Sequence, residues 1–159
     1  INTMKKLLLI LLCVPLIGVG QERYHIDNVK FSEDSTTVYF KNTMKPITGV
    51  IFNTYENGKL KKENKVINGK RNGISKGYYE NGKLKIVSVF VDGELNGLTK
   101  AYQKNGKLGM KGNFQDGKPQ GLWRIYHENG RIKSKAIFKD GKVDEEECWD
   151  KEGNEIDCE

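Results

Sequence analysis

A period of 24 residues runs through this sequence and constrains its fold more than any other feature. Four Asn-Gly pairs recur at that spacing, each followed by Lys or Arg and then by Leu or Ile. A second glycine series, preceded by Asn or Asp, alternates with the first. Because Gly, Asn and Asp tolerate the positive φ angles of tight hairpin turns, the pattern predicts two turns and two strands per unit. The turn glycines are Gly58, Gly82, Gly106 and Gly130 in the first series and Gly69, Gly93, Gly117 and Gly141 in the second.

The segments between these turns have the lengths of ordinary β-strands. They run for about seven to nine residues, as in 122–128 and 131–139. No segment is long enough for a helix without including a glycine-containing turn. We therefore predict an all-β fold of tandem antiparallel β-hairpins, in which the 24-residue units form one elongated, twisted, single-sheet solenoid.

Apolar residues recur at fixed positions of each unit and predict which side chains form the core. Residues of equal parity along a strand share a face, so we expect these columns to point inward. Small residues between two of the columns are expected to leave room for neighbouring rings to stack, although such aromatic columns could also stack against a ligand. The columns are Val50, Ile74, Leu98 and Leu122; Thr54, Tyr78, Tyr102 and Tyr126; Leu60, Leu84, Leu108 and Ile132; and Val66, Phe90, Phe114 and Phe138, with Asn64, Ser88, Gly112 and Ala136 as the small residues.

The beginning of the chain has the pattern of a secretory signal peptide. Lys5 and Lys6 precede an apolar run that ends in Gly-Val-Gly at residues 18–20. We predict a signal peptide at residues 1–20, with the start at Met4 and cleavage after Gly20, and hence a secreted, periplasmic or cell-envelope protein. The alternative is an uncleaved anchor, but the 14 apolar residues fall short of the roughly 20 that span a bilayer as a helix.

The repeat pattern also divides the remainder of the chain. We predict N-terminal capping strands at residues 21–48, repeats at 49–143 and an acidic C-terminal capping hairpin at 144–159. Caps are expected because the end units of a solenoid would otherwise expose their edges. In the last segment the turn sequence becomes Glu-Gly-Asn at residues 152–154.

The residue types that carry chemistry are sparse. Cys148 and Cys158 flank the predicted last turn, and in an exported protein they are candidates for a disulfide. The two histidines, His25 and His127, lie in different units without Cys or His at ligand spacing, so we expect no metal site. No Ser or Cys accompanies a His and a carboxylate in the way nucleophilic catalysis requires. We therefore predict no catalytic residue, no cofactor and no enzymatic activity.

Basic columns are the candidate contacts with an anionic partner. Residues 21–143 carry a net charge of +12, whereas residues 144–159 carry −8. A cationic ladder could attract a polyanion, an anionic lipid or an acidic protein; alternatively, lysines at strand rims prevent aggregation through sheet edges. Nucleic acid is disfavoured as a partner because the chain is predicted to be exported. The candidate contacts are Lys59, Lys83, Lys107 and Arg131 after the turn glycines, and Lys76, Lys100 and Arg124 in mid-strand.

The unit itself resembles a known repeat. The segment GLWRIYHENGRIKSKAIFKDGK at residues 121–142, with its counterparts from Gly73 and Gly97, is similar to the bacterial variant of the MORN (membrane occupation and recognition nexus) repeat. The resemblance covers about residues 49–142. It implies tandem β-hairpins in a curved sheet, binding of lipid or protein, and no shared catalytic residues.

Three functions follow as expectations. The first is an exported scaffold that binds a protein partner not identified by the sequence. The second is an antitoxin or immunity protein that neutralises a cognate toxin, because some bacterial proteins with this repeat are described as antitoxins. The third is a module that binds anionic lipid or the envelope surface. The sequence leaves the oligomeric state open.

Overall fold

The computed structural model of the protein describes residues 21–158. They contain fourteen β-strands and one turn of 3-10 helix, Ile26–Asn28. The predicted signal peptide at 1–20 lies outside the described residues, so its cleavage stays a prediction. Within 21–158, no helix is long and apolar enough to cross a membrane. The strands are β1 Arg23–His25, β2 Val29–Phe31, β3 Val38–Phe40, β4 Gly49–Thr54, β5 Leu60–Ile67, β6 Lys70–Tyr78, β7 Leu84–Val91, β8 Glu94–Leu95, β9 Gly97–Tyr102, β10 Leu108–Gln115, β11 Lys118–Tyr126, β12 Ile132–Lys139, β13 Lys142–Trp149 and β14 Glu155–Ile156.

Twelve of these strands form one long sheet. Its order is β1-β4-β5-β6-β7-β9-β10-β11-β12-β13-β14, with β8 paired to β7. From β4 onward the neighbours are antiparallel, which confirms the predicted all-β fold of tandem hairpins. Two features were not predicted: β1 runs parallel to β4, and β2 pairs with β3 in a separate two-stranded sheet.

The two glycine series form turns of different geometry. In the first series only the glycine has a positive φ, between 77° and 95°, while the side-chain oxygen of the preceding Asn accepts a hydrogen bond from the N–H two residues further on. In the second series the Asn or Asp also has a positive φ, between 49° and 51°. The second geometry corresponds to a two-residue type I′ hairpin turn. Asn therefore serves the first series as a hydrogen-bond acceptor, not through a positive φ.

A bulge in every unit changes which side chains share a face. Thr54 pairs with Leu60, whereas Asn53 pairs with Lys62, so Lys61 is an extra residue in β5. An extra residue reverses the alternation of faces, which places Leu60 and Val66 on opposite sides of the sheet. The prediction that their two columns share a face is therefore wrong. The equivalent extra residues are Lys85, Gly109 and Lys133.

The buried face of the sheet is the one that carries Ile51, Ser75, Thr99 and Trp123, with exposed fractions of 3 to 8%. We call it the inner face and the opposite one the outer face. The column Val50, Ile74, Leu98 and Leu122, predicted to form core, lies on the outer face, and its last three members are 39 to 52% exposed. This prediction is wrong because strand parity shows which side chains share a face of the sheet but not which of the two faces is buried. On the inner face, small residues pair across the β6–β7 hairpin (Ser75 with Ser88) and the β9–β10 hairpin (Thr99 with Gly112).

Aromatic stacking on the inner face is concentrated in the C-terminal repeats. The Trp123 ring lies 5.0 Å from Phe114 and 5.5 Å from Phe138, measured between centroids. A Cβ atom on Gly112 would lie 2.1 Å from that indole, so the expectation that a small residue makes room for a ring holds here. The predicted Tyr column, by contrast, lies half-buried on the outer face. Rings therefore stack over part of the repeat only.

The two ends of the sheet are closed differently. At the N-terminal end, β2 and β3 bring Val29 and Val38 against Ile47, Ile51 and Val66, which together form one buried cluster. At the other end, β13 and β14 form a short hairpin around a glycine of positive φ, Gly153. In this hairpin Cys148 and Cys158 form a disulfide with a Cα–Cα distance of 5.4 Å.

Candidate functional site

The mid-strand positions of the outer face align into one row across the sheet. Directly paired residues of antiparallel strands point to the same side, so the pairings of successive strands identify its members. From β6 to β12 these members are Lys76, Val87, Lys100, Lys111, Arg124 and Lys135. We call the five basic residues the cationic row.

The centre of the cationic row brings like charges together. Lys111 pairs directly with Lys100 on one side and with Arg124 on the other, and Arg124 pairs with Lys135. Like charges directly opposite one another destabilise a sheet. Among the described residues, no carboxylate lies within 4.0 Å of the charged groups of Lys100, Lys111 or Arg124. This stretch of the sheet therefore carries uncompensated positive charge.

Both ends of the cationic row are neutralised. The Lys135 ammonium lies 3.3 Å from a Glu147 carboxylate oxygen, and it also lies over the Trp149 ring. At the other end the Glu63 carboxylate is 3.6 Å from the Lys76 ammonium and 3.1 Å from the Arg23 guanidinium. The unpaired charge of the row is thus confined to its three central members.

Glu63 is the centre of a polar cluster at the N-terminal end of the row. Burial opposes its charged form, but the Tyr78 hydroxyl, Lys76 and Arg23 outweigh burial and hold the pKa of Glu63 below its usual value. Burial, followed by the hydrogen bond to Glu63, raises the pKa of Tyr78 to about 12. The cluster keeps a carboxylate charged against the sheet and orders the side chains around it.

Apolar side chains flank the cationic row on both sides, with an interruption at Asn113 in β10. On one side, the apolar side chains two positions away along the strands are largely exposed. They are Ile74 (52%), Leu98 (41%), Leu122 (39%) and Ile137 (40%). On the other side, Tyr78, Tyr102 and Tyr126 pair with Leu84, Leu108 and Ile132 and are half-buried. The outer face therefore combines a central line of positive charge with apolar margins, an arrangement suited to an amphipathic partner.

The basic residues after the turn glycines have a different role from the mid-strand ones. The Lys83 ammonium donates a hydrogen bond to the Asn105 carbonyl at 3.1 Å, and the Lys107 ammonium donates to the Asn129 carbonyl at 3.2 Å. The Arg131 guanidinium donates to the carbonyls of Lys151 and Glu152. These three cations connect each turn to the turn of the next unit, so only Lys59 of the predicted turn column makes no such contact among the described residues.

A second series of contacts joins the units, and sequence reasoning missed it. The Tyr55 hydroxyl donates to the Tyr78 carbonyl at 2.7 Å, and the Tyr79 hydroxyl donates to the Tyr102 carbonyl at 2.6 Å. At the equivalent positions Gln103 donates to the Tyr126 carbonyl, and the His127 ring is 2.8 Å from the Trp149 carbonyl. The equivalence of these four positions in the repeat could have revealed one shared structural role, which explains His127 without any catalytic chemistry.

Two members of the cationic row, Lys111 and Lys135, were not predicted. They lie in the second strand of their units, where the bulges at Gly109 and Lys133 shift the register relative to the first strand. Lys76, Lys100 and Arg124 were predicted from the 24-residue spacing alone. Locating the other two required the cross-strand pairing.

The described residues contain one group with metal-ligand atoms close together, formed by Glu146, Cys148 and Cys158. Its two sulfur atoms are bonded to each other, so this group is a disulfide with a neighbouring carboxylate. An apolar depression lies between the N-terminal cap and the inner face; Lys62 and Arg71 are the charged residues in its lining. Its lining contains Ser35, Thr36 and Lys62, but no His or carboxylate that would activate a hydroxyl as a nucleophile.

The fold and the outer face define a repeat protein of consecutive β-hairpins that displays an open sheet. The family model described as MORN repeat variant matches residues 71–92 and 119–140. In these two segments, which coincide with the β6–β7 and β11–β12 hairpins and the first residue of the turn after each, the chain is similar to that repeat. A search of curated proteins gave no significant match. MORN repeats generally serve as non-enzymatic scaffolds.

Proposed function

We propose that this protein is a non-catalytic scaffold, exported through its leader segment, that binds a protein partner on the open repeat sheet. The observation that carries the proposal is the exposure of large apolar side chains on both faces, such as Ile86 (37%) on the inner face and Leu98 (41%) on the outer face. Exposed apolar surface of this kind marks interaction sites in soluble proteins.

The polar side chains near the turns support a scaffold over an enzyme. Their hydrogen bonds go to the backbone of the adjacent unit, as those of Tyr79 and Lys83 do, so they hold the repeats in register. A rigid platform of this type presents a surface while its own polar groups remain occupied. Export rests on the basic and apolar segments of residues 1–20.

The test is site-specific photo-crosslinking in the intact cell envelope, with the photoreactive residue at Leu98, at Ile86 or, as a control, at the turn residue Lys104. We expect one protein to be captured from Leu98 or Ile86 and not from Lys104. Capture of a toxic enzyme would assign the immunity role, and recovery of lipid alone would replace the scaffold by a membrane-binding module. Cell fractionation with N-terminal sequencing tests export, for which we expect a mature chain beginning at Gln21.

A further inference from the structure

We propose that the outer face binds an acidic amphipathic helix of a protein partner, laid across the strands along the cationic row. This proposal rests on the scaffold function and specifies its surface and the chemistry of its partner. The direct pairing of Lys100, Lys111 and Arg124 costs stability, and these residues have no neutralising neighbour among residues 21–158. Bound carboxylates would remove that repulsion.

The geometry of the row fits a helix. Neighbouring strands lie about 4.8 Å apart, so consecutive members of the row follow one another at about that interval. A helix advances about 5.4 Å per turn, and residues three or four apart lie on one face. One carboxylate per helical turn can therefore face each of Lys100, Lys111 and Arg124, the three consecutive cations without a carboxylate partner among the described residues. An extended strand places side chains of one face about 6.6 Å apart and loses register sooner.

The exposed apolar side chains beside the cationic row would contact the apolar face of the helix. Leu98, Leu122 and Ile137 lie two residues along the strands from Lys100, Arg124 and Lys135. A helix whose apolar residues lie beside its acidic ones would contact both lines together.

The carboxylates at the two ends of the cationic row favour a partner of limited length along the row over an anionic membrane. Glu63 lies at one end, and Glu145 and Glu147 lie at the other, on the same outer face. A flat anionic surface covering the row would also meet these carboxylates and be repelled by them. A helix of about 16 residues, roughly 24 Å long, ends before it reaches them.

The experiment measures binding of a labelled peptide of about 18 residues, with Glu once per turn and Leu beside it, by fluorescence anisotropy. Its control is a scrambled peptide of the same composition. The protein variants are K100E/R124E in the row and, outside it, K104E/K139E at an exposed turn position and at the exposed end of β12, which alter the net charge equally. We expect salt-sensitive binding, weakened about tenfold or more by K100E/R124E and less than about twofold by K104E/K139E.

A third variant separates a binding role from a structural one. K111E places a carboxylate between Lys100 and Arg124, so we expect a higher urea midpoint for unfolding together with weaker peptide binding. A lower midpoint would mean that Lys111 supports the fold, which would contradict the proposal.

Three further outcomes would overturn the proposal. They are equal binding of the scrambled peptide, equal weakening by both double variants, and binding to vesicles of phosphatidylglycerol and phosphatidylcholine without binding to the peptide. None of these outcomes decides the scaffold function itself. Protein capture from Ile86 but not from Leu98 would keep the scaffold and eliminate this surface.

Discussion

The two ends of the repeat sheet are stabilised in two different ways. The N-terminal cap covers the inner face of the first hairpin and supplies Val29, Val38 and Ile47 to the cluster of buried apolar residues that includes Ile51 and Val66. The C-terminal hairpin covers little surface: β13 and β14 share two residue pairs, and the disulfide joins their ends. A sheet one layer thick can thus be closed by packing at one end and by a covalent bond at the other.

The difference follows from what each segment can bury. The cap contains alternating apolar residues that form a second small sheet, whereas residues 144–147 are all acidic and exposed. Acidic strands cannot form a core, so a cross-link that restricts the unfolded chain is the effective means of holding them.

Truncation of the cap core should be the most damaging change. Ile47 is fully buried (0% exposed), so Ile47→Ala should lower the free energy of unfolding by about 2–4 kcal/mol through lost burial and a cavity. The matched control is Ile74→Ala on the outer face, where the side chain is 52% exposed and the change should stay within about 0.5 kcal/mol. Urea denaturation measures both variants. Similar losses in the two would show that the cap contributes no special packing.

Removal of the disulfide should release the C-terminal end locally. In the chain-entropy model, closing a loop between Cys148 and Cys158, ten residues apart, is worth about 2–3 kcal/mol. We expect the C148S/C158S double variant to lose up to this amount, with faster amide hydrogen exchange in β13 and β14 and unchanged exchange in the cap. Hydrogen exchange followed by mass spectrometry checks the location. Faster exchange throughout the sheet would refute independent closure of the two ends.

The C-terminal repeats should also depend on the space beneath Trp123. Gly112→Ala would place a methyl group within the indole and should cost about 1–3 kcal/mol. Gly109→Ala, in the same strand, meets the flexible Gln103 side chain at 3.1 Å and should cost less. Thermal unfolding with near-ultraviolet circular dichroism reports the Trp environment. Equal costs for the two alanines would contradict the packing of Trp123 over Gly112.

The polar cluster beside the cap should give the smallest effect, visible as a pH dependence. Because the pKa of Tyr78 is raised from 10.0 to about 12, its folded state retains a proton that the unfolded chain loses. Its stabilising contribution is complete below pH 10 and is lost as the pH rises toward 12. We expect the stability difference between the protein and Tyr78→Phe to shrink from pH 9 to 11.5 in urea denaturation. A difference independent of pH would argue against this titration.

The repeat pattern predicted much of the fold because turn chemistry is local. The glycines of both series have the positive φ angles that the sequence indicated, and the strands lie between them. The Asn of the Asn-Gly pairs was assigned to a positive φ that it does not adopt, because a hydrogen bond from its side-chain oxygen serves the turn instead.

The candidate surface was only partly predictable. Lys76, Lys100 and Arg124 follow from the period, whereas Lys111 and Lys135 required the register between strands. Lys83, Lys107 and Arg131 were grouped with them as partner contacts, but their hydrogen bonds to the next turn could not be read from spacing alone. Equal spacing in a repeat identifies equivalent positions, not their neighbours.

The 24-residue unit, the turns and the antiparallel hairpins follow from the amino-acid sequence alone, since these depend on φ preferences and strand lengths within a few residues. Tertiary structure decided which face is buried and which charges meet. One extra residue at each bulge reverses the faces, and burial exists only where another layer or ring covers the sheet. Those two facts arise from the assembled strands, so the cationic row became visible only with their pairing.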